Sequence, residues 1–534
     1  MPCRKAALSR STRSPSATPA DAFDTPSGPP RECPHAADDN TNRARRSGAA
    51  QPAARDDGPP ARHSVTPSSP EPTTRRTAAI VLAAGLGTRM RSSRPKVLHT
   101  LCGRPMIDYV LDAWAEAIAQ SPDGPSASAR PVVVYSPATA AVREAVERRA
   151  DPALQDEPRG TGDAVRAGLE ALPADANEVV VLSGDVPLLA PAELLAVLEQ
   201  RRLDDAAIAL ASVFAADPGR LGRVVRSEFG TVEGIVEAAD ASEEELESNE
   251  INAGLYAFDA AWLRRRIGSL TPSAATGEIY LTDLVRLARE DGRIVSAVGF
   301  DDNGTFDGIN DRSQLAQAEW ALRVRLNESH MRSGVTMRDP STVYLDWSVS
   351  LATDVTLEPD VILRGATSIG EGSVIGPSTT VVDSTIGRDC RVWASVVEAS
   401  VIEAGAAVGP YSHLRAGSHI GPDAQIGNYA EVKNTRVGAR VKQHHMSYLG
   451  DAEIGEDTNV GAGTITANWD GRLKNRTRVG KGAFLGVDTM LVAPVEVGDG
   501  AKTGAGAVVT RDVPAGKLAV GVPARIREPR ATKE

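Results

Sequence analysis

Two groups of residues in this sequence have the types and spacing for chemistry on charged substrates. The first follows the apolar run 80–82 in the segment LAAGLGTRMRSSRPK, where Gly85 and Gly87 allow backbone N–H groups to approach a ligand closely. Arg89 and Lys96 add two cations within reach of a triphosphate. The segment has neither the GK[ST] of a Walker loop nor the third glycine of a dinucleotide fingerprint, so it predicts a nucleotide-binding loop of another kind.

Two oxygen-bearing side chains could bind a divalent cation beside this loop. Asp185 follows an apolar run in SGDVPLL, and Asn310 lies in FDGIND. Mg²⁺ prefers oxygen ligands and keeps water and substrate phosphates in its shell, so one carboxylate and one amide are sufficient. The alternative is that Asp185 only stabilises a turn before a proline.

The second group surrounds the segment VKQHHMSYLG, which contains two of the chain's eight histidines side by side, His444 and His445. Imidazole has a pKa suited to accepting a proton near neutral pH. His445 precedes Tyr448 by three residues, and we expect the cations Arg415 and Lys433 to lie beside it. We expect only one of the two adjacent histidines to face a substrate groove.

Alternating strands and helices are predicted around the first group. The segment PVVVYS (131–136) precedes a predicted helix 138–149, and EVVVLSGDVPLL (178–189) precedes a predicted helix 191–202. A further strand is predicted over 206–214. This order is typical of a doubly wound α/β domain, in which ligands bind beyond the carboxyl ends of the strands.

A six-residue repeat replaces this pattern after a predicted helical connector. Aliphatic residues recur at this spacing, as in the series from Val408 to Val432, which predicts a left-handed parallel β-helix built from hexapeptide repeats. Two intervals break the period: 17 residues separate Val437 from Ile454, and 19 separate Val460 from Val479. We expect both to bulge outward as loops on a binding face. A purely structural solenoid remains the alternative at this point.

Length and composition limit the possible classes of protein. A chain of 534 residues needs at least two domains. The net charge of -11 argues against nucleic-acid binding, and the longest apolar run is too short for membrane insertion. The four cysteines lack disulfide or metal spacing, which favours a cytoplasmic location.

The domain boundaries follow from these changes in pattern. Residues 1–76 are rich in proline, serine and arginine and poor in large apolar residues, so we predict a disordered tail. We also expect that part of this tail precedes the true translation start. The remaining predicted segments are an α/β domain (77–312), a helical linker (313–335), a β-helix domain (336–525) and a C-terminal tail (526–534).

The order of motifs resembles a known enzyme family. LAAGLGTRM, PKVLH, GTGDA, SGDVPLL, GIVE, NAG and FDGIND resemble the sugar-1-phosphate nucleotidyltransferases. GPYSHLRAG, IGNYAEVKN, HMSYLGDAEIG, TNVGAGTITANWDG and KNRTRVG extend the resemblance to the bifunctional N-acetylglucosamine-1-phosphate uridylyltransferase/glucosamine-1-phosphate acetyltransferases. Together the motifs cover about residues 77 to 525.

For the first half, the resemblance implies a catalytic role for Arg89 and a uracil site at Gln155, Gly160 and Thr161. Asp185 and Asn310 would bind Mg²⁺. The full nucleotide- and sugar-binding set implied is Leu82, Ala83, Ala84, Gly85, Lys96, Gln155, Gly160, Thr161, Ser183, Gly184, Asp185, Gly222, Glu237, Asn252 and Asn310.

This half departs from the family at several positions. Asp163 stands where the family often has histidine, and Ala239 stands where it often has lysine. Arg223 is the candidate to replace that missing cation near the sugar phosphate.

For the second half, the resemblance implies that His445 is the general base. Arg415, Lys433, Tyr448 and Asn459 would bind the acetyl acceptor. The residues implied for the acetyl-CoA groove are Ala462, Asn468, Trp469, Val487 and Ala505. Val487 stands where a serine is common in the family, and Trp469 replaces a usual tyrosine.

The expected function is synthesis of UDP-N-acetylglucosamine in two steps. Acetyl-CoA would acetylate glucosamine 1-phosphate, and the product would react with UTP and release pyrophosphate. The resemblance also implies a homotrimer assembled through the β-helix. Two alternatives remain: a nucleotidyltransferase whose β-helix only oligomerises, and a non-enzymatic scaffold that binds sugar nucleotides.

Overall fold

The computed structural model describes residues 75–121 and 130–528. The predicted tail, residues 1–76, therefore lies outside the described residues except for its last two, and so does the end of the chain from residue 529. The predictions of disorder and of a later translation start are not tested.

A nine-stranded sheet forms the centre of the first domain. Its strands are β1 (Thr77–Leu82), β4 (Val132–Tyr135), β5 (Asp151–Leu154), β6 (Glu178–Ser183), β7 (Ile208–Phe214), β8 (Arg223–Arg226), β9 (Val232–Val236), β10 (Glu250–Asp259) and β11 (Val295–Phe300), while β2 (Thr100–Leu101) and β3 (Arg104–Pro105) form a separate pair. The main order is β11-β7-β10-β6-β1-β4-β5, and only β10 runs antiparallel to its neighbours on this path. β8 and β9 attach to β10 as an antiparallel pair.

Helices cover both faces of this sheet. They are α1 (Met106–Gln120), α2 (Ala141–Val146), α3 (Thr161–Ala171), α4 (Pro191–Leu203), α5 (Glu243–Leu246), α6 (Ala260–Arg266), α7 (Asp283–Glu290) and α8 (Arg312–Arg332). Alternate residues of β1 point to opposite faces: Ala79 and Val81 join the core under α1, α4 and α8, while Ala78 and Ile80 join the core under α3, α6 and α7. The predicted doubly wound α/β class is confirmed.

In the second half, short parallel strands form three stacked sheets, which we call face 1, face 2 and face 3. Face 1 consists of Thr336–Met337, Thr356–Leu357, Val374–Ile375, Arg391–Val392, Ala407–Val408, Gln425–Ile426, Lys442–Gln443, Asn459–Val460, Phe484–Leu485, Lys502–Thr503, Leu518–Val520 and, antiparallel at its end, Arg525–Arg527. The proposed domain boundary after residue 525 falls inside this last strand.

The other two faces follow in each coil. Face 2 consists of Tyr344–Leu345, Ile362–Arg364, Thr380–Val382, Val396–Glu398, His413–Arg415, Ala430–Lys433, Ser447–Gly450, Ile465–Ala467, Met490–Val492 and Val508–Val509. Face 3 consists of Ser350–Leu351, Ser368–Ile369, Thr385–Ile386, Val401–Ile402, His419–Ile420, Arg436–Val437, Ala452–Ile454, Thr477–Val479 and Val495–Val497. The aliphatic residues of the hexapeptide period form one continuous buried core, consistent with the predicted left-handed β-helix.

The two breaks in the period have different structural outcomes. Val437 pairs directly with Ile454 on face 3, so the 17-residue interval is one complete coil, and the expected outward bulge is wrong. A coil corner can lose a residue while the strands stay in register, since Ile386 and Ile402 also pair across a shorter interval. The other break is a loop, as predicted: residues 468–476 leave face 2 and return to face 3, with a bridge between Trp469 and Lys474.

The predicted helical connector is α8, which packs on both halves. Ala318 and Leu322 are buried in the core of the first domain. The buried Asn327 donates from Nδ2 to the carbonyl oxygens of Pro340 (2.9 Å) and Val343 (3.1 Å) at the start of the β-helix. Among the described residues, no helix has the length and apolar character needed to span a bilayer.

Candidate active sites

The predicted nucleotide loop begins at the carboxyl end of β1. Ala83 donates its N–H to Val134 (2.9 Å) on β4, and Gly184 donates to Leu82 (2.9 Å) from the end of β6. Gly87 has a φ of +57°, and a methyl group there would lie 2.7 Å from Cβ of Lys96. Glycine is therefore required at this position both by the backbone conformation and by the close approach of Lys96.

Four polar side chains converge beyond the ends of β1 and β6. The Lys96 ammonium forms an ion pair with Asp185 and also donates to Oδ1 of Asn310 at 3.2 Å. Nη2 of Arg89 donates to the same Asn310 oxygen at 2.9 Å. The backbone N–H of Ile309 donates to the carbonyl oxygen of Asp185 at 2.9 Å, which joins the two distant segments. The structure thus brings together all four residues predicted for phosphate and metal binding.

The donor set at this point fits Mg²⁺. One ammonium contacts a carboxylate oxygen of Asp185 and the amide oxygen of Asn310 together, so both oxygens face a common point where a cation fits. Within the described residues, no cluster of three or more His, Cys, Asp or Glu side chains could hold a metal alone. Substrate phosphates and water would therefore have to complete the coordination shell, as is usual for Mg²⁺ at nucleotide sites.

The predicted uracil-binding residues lie at the carboxyl end of β5 and the start of α3. Gln155 is buried and donates from Nε2 to the carbonyl oxygen of Gly160 at 3.2 Å. Thr161 accepts at Oγ1 from the backbone N–H of Leu281 at 3.0 Å. Gly160 has a φ of +122°, and a methyl group there would lie 2.5 Å from the carbonyl oxygen of Ile279. The segment that contains all three predicted residues is therefore held tightly against residues 279–281.

The predicted sugar-side residues also come together. Asn252 donates its N–H to Gly222 (2.9 Å) and accepts at Oδ1 from the N–H of Gly254 (3.1 Å). A methyl group at Gly222 would lie 3.3 Å from Oε2 of Glu237, and one at Gly254 would lie 3.3 Å from Oγ of Ser183. One contiguous surface therefore carries these predicted residues.

The expected replacement of a missing cation by Arg223 is wrong. Arg223 is buried, and its guanidinium donates to the carbonyl oxygens of Gly219 (3.0 Å) and Leu221. Its charge therefore stabilises its own loop and is not available to a sugar phosphate. Burial, together with the nearby Asp240, raises the pKa of Glu237, which favours the protonated form of this carboxyl more than in an exposed glutamate.

In the β-helix, four predicted residues align at the corner between faces 1 and 2. The strands of face 1 pair through Lys442, Asn459, Phe484 and Lys502, and the residues three positions further on are His445, Ala462, Val487 and Ala505. Ala462 accepts at its carbonyl oxygen from the N–H of Asp488 (2.7 Å), and Val487 accepts from Gly506 (2.8 Å). The predicted base and three predicted acetyl-CoA residues therefore form one column.

A groove of about 380 Å³ runs along this column. It is lined by Lys442, His444, His445, Asn459, Val460, Gly461, Ala462, Phe484, Leu485 and Val487. Both histidines line it, so the expectation that only one would face the groove is wrong. The alternation of side chains applies within a strand, whereas His444 and His445 lie in the turn between Gln443 and Ser447.

The two histidines nevertheless differ in their surroundings. Nε2 of His444 is hydrogen-bonded to Oε1 of Gln425 on the preceding coil at 2.6 Å, while its ring lies edge-on to His445 with centroids 6.4 Å apart. Burial, with His445 and Lys442 nearby, lowers the pKa of His444. His444 is therefore anchored to the scaffold, which leaves His445 as the candidate base.

A cluster of cationic side chains lies on face 2. Arg415 and Lys433 occupy paired positions on successive coils, and Arg415 donates to Oε1 of Glu431 at 2.8 Å. Lys474, from the loop 468–476, contacts Lys433 and lowers its pKa, with Arg415 adding to the effect. Three cations that converge in this way favour a phosphate ligand. Sequence reasoning missed Lys474, although it stands in the motif KNRTRVG.

Tyr448 lies beside this cluster and is positioned by glycine. A methyl group at Gly450, two residues further along the strand, would lie 2.2 Å from the Tyr448 hydroxyl oxygen. Nδ2 of Asn468 donates to that oxygen (3.4 Å) and to Oδ2 of Asp451 (2.6 Å), which also accepts from Asn434 at Oδ1 (2.6 Å). Asn468 therefore has a structural partner in addition to its predicted role at the acetyl-CoA groove.

Comparison with known proteins identifies the family. The MobA-like NTP transferase domain model matches residues 79–240, and the model of the hexapeptide repeat of succinyl-transferase matches residues 476–511. The bifunctional protein GlmU of Mycolicibacterium vanbaalenii is 43% identical over 455 residues, which cover 84% of this chain and 90% of that protein. The chain belongs to the bifunctional GlmU family.

Other GlmU proteins agree with this assignment. The GlmU of Rhodococcus jostii is 46% identical, and the match covers 83% of this chain and 89% of that protein. The GlmU of Rubrobacter xylanophilus is also 46% identical, and the match covers 84% of this chain and 93% of that protein. As a GlmU-family chain, this protein is a bifunctional enzyme of acetyl and uridylyl transfer, acting on acetyl-CoA and UTP. Membership favours this prediction over the single-activity and scaffold alternatives.

Proposed function

We propose that this chain converts glucosamine 1-phosphate to UDP-N-acetylglucosamine through the two sites described above, with Mg²⁺ at Asp185 and Asn310. The observation that carries the proposal is the convergence of predicted residues at two separate places. Arg89 and Lys96 contact Asn310 and Asp185 beyond β1 and β6, while His445 lines the groove of the β-helix, on whose face 2 Arg415 and Lys433 are paired.

For acetyl transfer, Arg415, Lys433 and Lys474 would bind the phosphate of glucosamine 1-phosphate, with Tyr448 and Asn459 on its sugar. His445 would remove a proton from the amine as its nitrogen attacks the thioester carbonyl of acetyl-CoA. The C–S bond then breaks, and CoA leaves. Because Val487 offers no hydroxyl group, backbone N–H groups would have to stabilise the oxyanion.

Ala462, Val487 and Ala505 would line the path of acetyl-CoA. Ala462 and Val487 line the groove, and Ala505 follows them in the corner column on the next coil. Trp469 is exposed in the loop 468–476, and Asn468 begins that loop. Both residues would reach acetyl-CoA from this loop, which lies between faces 2 and 3 and contributes no residue to the lining of the groove.

For uridylyl transfer, an oxygen of the sugar phosphate would attack the α-phosphorus of UTP in line, and pyrophosphate would leave. Arg89 and Lys96 would contact the phosphates, while Ser183, Gly222, Glu237 and Asn252 would hold the sugar. The remaining nucleotide-loop contacts would come from Leu82, Ala83, Ala84, Gly85 and Gly184. When bound, Mg²⁺ would neutralise the charge that develops on the phosphate oxygens.

The proposed assembly is a homotrimer through the β-helix, and the proposed location is the cytoplasm. A hexapeptide-repeat solenoid supports the first proposal. Cys102 and Cys390, the two cysteines in the described part of the chain, are buried and free, in accord with a reducing compartment. Sedimentation equilibrium tests the assembly; a monomeric mass at micromolar concentration would contradict it.

One reaction tests both activities. The purified chain is supplied with glucosamine 1-phosphate, acetyl-CoA, UTP and Mg²⁺, and release of CoA and of pyrophosphate is measured separately. Both products should form, and pyrophosphate should depend on Mg²⁺ and on prior acetylation. Release of only one product would show that a single site is functional. Omission of acetyl-CoA is the control, since pyrophosphate release should then fall to background.

A further inference from the structure

We infer that Asp163 determines base selectivity by fixing the orientation of the Gln155 amide. This inference rests on the proposed function only in taking Gln155 as the residue that faces the nucleotide base. Asp163 is a positioning residue in this role, since it acts on the base through Gln155.

The hydrogen bonds of Gln155 allow only one orientation of its amide. Nε2 lies 2.9 Å from Oδ2 of Asp163 and 3.2 Å from the carbonyl oxygen of Gly160. Both partners are acceptors only, so the amide must present its NH₂ group to them. Rotating the amide by half a turn would place Oε1 against two oxygens, one of them charged. Oε1 therefore points away from Asp163, and on the proposed function it would accept a hydrogen bond from the bound base.

Asp163 is itself held in place. It is 7% exposed, while Gln155 is 3% exposed, so neither bond competes freely with water. Arg166, one turn further along α3, forms an ion pair with Oδ1 of Asp163 and leaves Oδ2 for Gln155. The backbone N–H of Gln155 donates to Tyr135 at 2.8 Å, which anchors the residue to the end of β4.

A fixed acceptor distinguishes the pyrimidine bases. Uracil has a ring N–H at position 3 that can donate to Oε1, whereas cytosine has a bare nitrogen there, which would face Oε1 without a proton between them. If the amide could rotate, its NH₂ group could donate to that nitrogen instead. Removing the acceptor at position 163 should therefore weaken selection of UTP over CTP. The dissociation constant of 5-methyl-UTP should change in the same way as that of UTP, because the two bases have the same ring N–H.

The test measures dissociation constants for UTP, CTP and 5-methyl-UTP with Mg²⁺ on the full chain, by titration calorimetry. In Asp163→Ala and Asp163→Leu, neither of which has a side-chain acceptor, the ratio of CTP to UTP dissociation constants should fall by about tenfold or more, the range for loss of a hydrogen bond to a charged group. Asp175→Ala is the matched control, because Asp175 also pairs with an arginine but is exposed. That variant should keep the parent's ratio.

The outcomes separate the inference from the proposed function. If both Asp163 variants retain a ratio within about threefold of the parent's, or if the parent binds UTP and CTP equally, the inference is wrong. If the Asp163 variants lose selection of UTP but the parent releases no pyrophosphate with N-acetylglucosamine 1-phosphate, the proposed function fails while the inference stands. Equal melting temperatures of parent and variants would show that a changed ratio does not reflect misfolding.

Discussion

Replacing Gly450 by alanine should displace the phenol of Tyr448 and impair acetyl transfer alone. The new methyl group would lie 2.2 Å from the Tyr448 oxygen and 2.5 Å from Cζ, against ordinary contact distances of 3.4–4 Å. The ring must therefore move by more than about 1 Å. Because the atoms in the way are the far end of a side chain, the ring can swing aside while the strand stays intact.

The expected loss follows from that displacement. A misplacement of about 1 Å in a positioning group costs about 10²-fold in rate, or about 2.7 kcal/mol of transition-state stabilisation. The assay is kcat/KM for glucosamine 1-phosphate, followed by CoA release. Uridylyl transfer from N-acetylglucosamine 1-phosphate is the internal control and should be unchanged, as should the melting temperature.

A double-mutant cycle decides whether the effect passes through Tyr448. In a Tyr448→Ala background the obstructing ring is gone, so adding Gly450→Ala should change kcat/KM by less than about twofold. If Gly450→Ala is equally harmful in both backgrounds, or if both activities fall together, the steric reasoning is refuted.

Three further predictions concern the metal site, the base and the sheet. Asp185→Ala should abolish pyrophosphate release at every Mg²⁺ concentration but leave CoA release intact, because the proposed Mg²⁺ site would lose its only formally charged protein ligand; loss of both products in parallel assays would contradict this. His445→Ala should reduce acetyl transfer by about 10²–10⁴-fold and remove the ascending limb of its pH profile, whereas His444→Ala should cost less than about tenfold; the reverse order would assign the base to His444. Glu178→Gln should lower the free energy of unfolding by about 3 kcal/mol, measured by urea denaturation at pH 7, since Glu178 is 2% exposed and pairs with Arg201; a change below about 1 kcal/mol would contradict this. Burial alone would raise the pKa of Glu178, but its arginine partners lower it on balance. The stabilisation of the fold by this carboxylate is therefore fully present above the unfolded carboxyl's pKa of about 4.3, and it is lost as the pH falls through the lower folded pKa. Glu178→Gln should lack this loss of stability in acid.

Much of the architecture could be predicted because its signals are local. The six-residue period is carried by neighbouring residues, and the same is true of the alternation of apolar runs with helical segments in the first half. Motif order then placed Lys96, Asp185 and Asn310 at one site, and the structure brings them within hydrogen-bonding distance.

Local pattern reasoning failed where coil geometry decides the outcome. The 17-residue interval between Val437 and Ile454 was expected to be a loop, yet the two residues pair on face 3. Coils of 17 and 18 residues stay in register because the missing residue is taken from a corner and not from a strand. The orientation of His444 toward the groove was missed for a related reason: strand alternation does not extend into a turn.

The sequence by itself determined the fold class, the family and the residue types available for each reaction, because these depend on spacing along the chain. Only the tertiary structure decided which charges meet. It placed Lys474 against Lys433, committed Arg223 to its own loop and set the Asp163 carboxylate against the Gln155 amide. Such contacts depend on the direction in which each side chain points and on how deeply it is buried. No periodicity in the sequence carries that information.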